Sequence, residues 1–186
     1  IASVTPEGGG TLIYVNAQGY TTTVEIPAGA VSETITIILT PLDGPTYPTA
    51  PWAYAGHAFR LEAYRGPYLI PGYVFLAPVA VTIHYSDEDI AEIADEAELL
   101  IRTWAAGAWV DAACDGYLRE FGENWLSTQI CHLSEFALLG PHIRVAVGGE
   151  TLAAAPLEVL SLPAALAITV MVLLLTLAAA VVRRRE

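Results

Sequence analysis

Apolar and polar residues alternate in short runs over residues 1–140, and Gly, Pro, Asn and Asp punctuate them. Along TTVEI (22–26) and VAVTIHY (79–85) the period is two, so one side of each segment is buried and the other wet. The same reading predicts strands over 11–15, 34–41, 58–64, 98–104, 108–112, 117–121, 125–132 and 136–139. Many short strands at close spacing predict an all-β fold, a β-sandwich over 1–140.

One stretch breaks the pattern. SDEDIAEIADEAE (86–98) carries helical signals, with Ser86 and Asp89 spaced as in a capping box. Asp87, Glu88 and Asp89 also suit a helix N-terminus. Seven carboxylates between 87 and 98 invite a calcium reading, but the ordered ligand spacing and sharp-turn Gly of an EF-hand are absent. A solvated helix or turn is the expectation.

The C-terminal region is apolar in a different way. No charged residue occurs from Val159 to Val182, and Arg183, Arg184 and Arg185 follow at once. With Pro163 in the first turn and Met171 near the middle, a helix over 163–182 reaches roughly 30 Å, the thickness of a bilayer's hydrocarbon core. The arginine cluster places that end in the cytoplasm. The chain therefore reads as a single-pass cell-membrane protein with an extracytoplasmic N-terminal domain. Residues 141–162 form a juxtamembrane spacer and 183–186 a cytoplasmic tail. The spacer is too apolar for a free Gly/Ser linker. Ile1 stands first, so a targeting segment is expected to have been removed or to lie upstream.

Charge narrows the partners. Residues 1–162 hold nineteen acidic residues and five arginines, a net charge of −14. That balance excludes a nucleic-acid binder and favours cationic partners. The histidines His57, His84, His132 and His142 are scattered without metal-ligand spacing, so no metal is expected.

The two cysteines form a testable pair. With a turn at Gly122–Asn124, Phe121 falls opposite Trp125, and a single bulge then brings Cys114 and Cys131 face to face. Such a disulfide contributes on the order of 3 kcal/mol and suits an oxidising compartment. Two buried free thiols are the alternative.

The opening segment carries a family resemblance. Gly8, Gly9 and Gly10 precede a strand, IPAGAV (26–31) follows, and then a Thr/Ile-rich strand. With FLAPVAVTIHY (75–85) downstream, this resembles the ZU-five domain of zonula occludens proteins, ankyrins and netrin receptors. The remainder is similar to the β-rich segment that often follows it in receptors and bacterial envelope proteins. The resemblance implies a β-sandwich serving as an interaction or structural module without a cofactor.

Some ZU-five relatives cleave themselves at a His-Leu-Ser site, and here the chain reads Cys131-His132-Leu133-Ser134-Glu135-Phe136. In that chemistry Ser134 Oγ attacks the Leu133 carbonyl while His132 takes its proton, which requires a strained peptide. A structural role for the segment is the preferred reading. The expectation is thus a non-catalytic accessory or structural subunit of a larger bacterial membrane complex, with a respiratory or photosynthetic electron-transfer assembly as a possible host. Its anchor would pack among the transmembrane helices of integral membrane subunits, and its acidic sandwich would meet an extracytoplasmic subunit. Autoproteolysis between Leu133 and Ser134, or a free surface adhesion module, are the alternatives.

Overall fold

Inward-facing Val, Ile, Leu and Phe at every second position leave each strand unable to stand alone, and two sheets close over them. The computed structural model describes residues 1–143; residues 144–162 of the predicted spacer, the predicted membrane helix over 163–182 and the tail lie outside them. The strands are β1 (Ala2–Val4), β2 (Gly10–Val15), β3 (Thr21–Ile26), β4 (Ile35–Leu42), β5 (Trp52–Arg65) and β6 (Tyr68–Ile70). They continue as β7 (Val74–His84), β8 (Leu100–Ala105), β9 (Ala108–Asp111), β10 (Tyr117–Glu120), β11 (Trp125–His132) and β12 (Glu135–Pro141).

A seven-stranded sheet runs β1-β4-β5-β12-β8-β9, with β6 paired to β5, and a five-stranded sheet runs β10-β11-β7-β3-β2. Every pairing is antiparallel. The fold is an all-β sandwich. Its core joins Ile35, Ile37, Phe59, Leu61, Ile101, Phe136 and Leu138 of the larger sheet to Val24, Val79, Val81, Ile83, Leu126 and Ile130 of the smaller.

The strand map departs from the alternation in informative places. β5 begins at Trp52, six residues before the predicted start at Ala58. Ala53 and Ala55 face inward while Trp52 and Tyr54 pack against a second apolar cluster on the opposite side, so no polar face marks this strand. Gly56, with φ +70°, shifts its register against β12. β7 begins at Val74, ahead of the predicted Val79, because it continues through Pro78 where its pairing with β11 is irregular. β1 and β6 are too short to show a period.

β12 is buried on both faces from Glu135 to Gly140. Phe136 and Leu138 enter the main core, while Ala137 and Leu139 join Ala58 and Trp109 in the second cluster. Trp52, Tyr54 and Trp104 complete that cover. The continuous apolar run FALL is the sequence mark of this double burial.

The segment 86–98 is turns followed by one 3-10 turn at Glu96–Glu98, capped by Asp95. The reciprocal bonds of a capping box form nonetheless: Asp89 Oδ2 accepts from the Ser86 N–H at 2.8 Å, and the Asp89 N–H donates to Ser86 Oγ at 3.1 Å.

Candidate functional site

Leu133 and Ser134 occupy a corner. β11 belongs to the five-stranded sheet and β12 to the seven-stranded one, so these two residues carry the chain from sheet to sheet. The Leu133 N–H donates to the Tyr73 carbonyl at 3.0 Å, and the Ser134 carbonyl accepts from the Leu61 N–H at 2.9 Å. The corner's backbone is therefore tied to both sheets, with the Leu133 side chain buried beneath it.

His132 ends β11 opposite Val74, and its ring centroid lies 6.0 Å from that of Phe136. Among the described residues His132 and Ser134 share no hydrogen bond. Left-handed backbone at non-glycine residues falls at Ala106 and Asn124, in other turns. The residue that follows is engaged more deeply. Glu135, 6% exposed, accepts from the Thr46 N–H at 2.7 Å and from Arg60 Nη2 at 3.1 Å. These bonds pin the β4–β5 connection across the outer face of the larger sheet. There Tyr47 stacks on Trp104 at 4.4 Å, and Trp109 Nε1 donates to the Pro48 carbonyl at 3.1 Å.

Beside this corner opens a groove of about 280 Å³. β6 and β12 both pair with the same edge of β5, β6 at Ala63–Arg65 and β12 up to Arg60, and the groove lies at the gap between them. Tyr47 and Trp104 line it with Leu69, Ile70 and Pro71, and its polar groups include Arg60, Glu62, Ser134 and Glu135. Glu62 receives only a long 3.5 Å hydrogen bond from the Tyr64 hydroxyl and has no ion-pair partner among the described residues. Of the groove, the sequence pattern singles out Leu133 and Ser134 alone. Glu62, Tyr47 and Trp104 come from three separate segments, and no local signal links them.

Cys114 and Cys131 form a disulfide with Cα atoms 6.0 Å apart. The register differs by one residue from the expectation: Glu120, not Phe121, pairs with Trp125. The β10–β11 ladder runs without a bulge from Tyr117 to Glu120, and Cys114 reaches Cys131 from the segment before it. The backbone N–H of Cys114 donates to the Gln129 carbonyl at 2.8 Å and holds the approach.

A buried polar group sits elsewhere. His57, 3% exposed, follows the Gly56 bulge, with Nδ1 at 3.4 Å from Thr22 Oγ1 and Nε2 at 3.8 Å from Asp89 Oδ2. Among the described residues Nε2 has no hydrogen-bond partner. Burial depresses the His57 pKa, and the Asp89 carboxylate offsets this in part. Tyr54 is pushed up to about 12 by burial first and then by Asp89. Thr22 is buried, so this Thr-His-Asp arrangement offers no reachable nucleophile.

His84 lies near Trp125 and His142 near Glu92. Among the described residues no three His, Cys, Asp or Glu side chains gather as metal ligands. Pro163, Met171, Val182 and Arg183–Arg185 lie outside the described residues. No protein-family model matches the chain. No curated protein sequence matches it either.

Proposed function

We propose that this chain is a non-catalytic, membrane-anchored accessory subunit whose sandwich lies on the extracytoplasmic side. One observation carries the non-catalytic part: the His-Leu-Ser-Glu segment is occupied in joining the sheets. Its peptide groups bond Tyr73 and Leu61, its carboxylate holds Thr46 and Arg60, and its histidine and serine do not meet. A nucleophile and base need hydrogen-bond contact and a reachable carbonyl.

The disulfide suits an oxidising compartment. The uncharged run to Val182 and the arginines after it support a membrane anchor. The resemblance to ZU-five domains supports an interaction role. An electron-transfer host draws no support from the described residues and forms no part of this reading.

Native electrophoresis of mildly solubilised membranes, with mass spectrometry of the band, tests the proposal. Migration far above 19.8 kDa with stable companions is the expected result. Migration alone, near the chain's own mass, would remove the accessory-subunit reading and favour a free surface module.

A further inference from the structure

The groove beside Ser134 has walls of unlike chemistry that converge on one kind of occupant. Tyr47, 40% exposed, and Trp104 supply aromatic surface. Leu69, Ile70 and Pro71 supply an apolar lip, and Glu62 supplies a carboxylate that no cation neutralises among the described residues. Arg60 does not fill that role, because its charge is spent on Glu135. With one arginine against two carboxylates, the groove is net negative.

The domain around it has the same sign. Residues 1–143 hold seventeen acidic residues and four arginines. Each arginine is engaged: Arg60 with Glu135, Arg65 with Glu33, Arg102 over the Trp52 ring, and Arg119 with the Leu99 carbonyl. No arginine among the described residues is left for Glu62, so a cation there comes from outside them. An added β-strand does not fit, since the gap between β6 and β12 exposes only a residue or two of the β5 edge and the Leu61 N–H already serves Ser134.

We propose that this groove receives an arginine side chain of a partner protein. The guanidinium lies against the Tyr47–Trp104 stack and bonds the Glu62 carboxylate, with Ser134 Oγ as a second acceptor. The aliphatic stem runs over Leu69, Ile70 and Pro71. The inference deepens the accessory-subunit reading by naming the chemistry of the contact, and it rests on that reading for the partner.

The test titrates the full chain in mild detergent with N-acetyl-arginine amide, followed by tryptophan fluorescence and calorimetry. Saturable binding with Kd on the order of 1 mM is expected for so small a probe. N-acetyl-citrulline amide keeps the shape and loses the charge, so it should bind about tenfold more weakly. Glu62→Gln should cost the arginine probe about the same factor while leaving the unfolding midpoint in place. Equal binding of both probes, undiminished binding by Glu62→Gln, or tighter binding of a neutral sugar such as chitobiose would each overturn the proposal. Stable companions on the native gel without arginine binding sink this inference alone. Arginine binding by a chain that migrates alone sinks the accessory-subunit reading instead.

Discussion

Glu135 accepts the backbone N–H of Thr46 at 2.7 Å across 89 positions of sequence. That contact fixes the β4–β5 connection over the aromatic cluster, and the paired Arg60 shares the same carboxylate. Glu135→Ala leaves the Thr46 N–H without its acceptor and releases Tyr47 from Trp104. A loss of about 2 kcal/mol is expected, at the lower end for a charged pair because the Arg60 side chain is 41% exposed. Urea unfolding measures the loss, and a change in tryptophan emission should accompany it in the folded state.

The Cys114–Cys131 bridge closes a loop of sequence separation 17. Replacing both cysteines by serine should lower stability by about 3 kcal/mol. Peptide mapping without reduction should recover the two cysteines in one linked fragment, and two unlinked fragments would refute the pairing.

His57 gives stability a dependence on pH. Its folded pKa lies below the ordinary 6.5, so the unfolded chain takes up its proton first as pH falls. The contribution is fully present above about pH 6.5 and is lost as pH drops towards the folded pKa. The groups facing His57 are Asp89, Thr22 and His84. His57→Gln should flatten the difference in unfolding midpoint between pH 5 and pH 7.5, and a slope unchanged from the parent chain would assign the effect elsewhere.

Gly56 holds Asp89 where a side chain would otherwise stand: a Cβ there overlaps the Asp89 carboxylate, and φ is +70°. Gly56→Ala therefore combines left-handed strain with displacement of the 86–98 segment, a loss of about 2 kcal/mol or more. Hydrogen exchange should show faster opening of the Ser86 and Asp89 amides in this variant than in the parent.

Ser134 offers a direct check of the non-catalytic reading. A denaturing gel of the chain should show one band at full mass, and Ser134→Ala should show the same band. Two fragments in the parent that disappear in the variant would establish cleavage at Leu133–Ser134.

Much of this sandwich is readable from periodicity. The strand cores at Thr21–Ile26, Ile35–Leu42 and Trp125–His132 lie where alternating residues place them, because one face meets the core and the other water. The strand over FALL is where the sequence predicts it, but WAYA resists that reading, since its second face is covered by aromatic residues from distant segments. Ser86 and Asp89 announce their own bonds because three residues of separation suffice to make them.

Local chemistry in the sequence settled the alternation of the strands, the capping pair and the presence of two cysteines near enough to join. Tertiary structure decided the one-residue register that sets Cys114 against Cys131, the use of Glu135 as an anchor, and the meeting of Tyr47, Glu62, Trp104 and Ser134 around one groove. The physical reason is the range of the forces. Alternation and caps act between residues a few positions apart, whereas a groove arises where two strands share one neighbour and leave a gap, a fact of sheet topology that no single segment encodes.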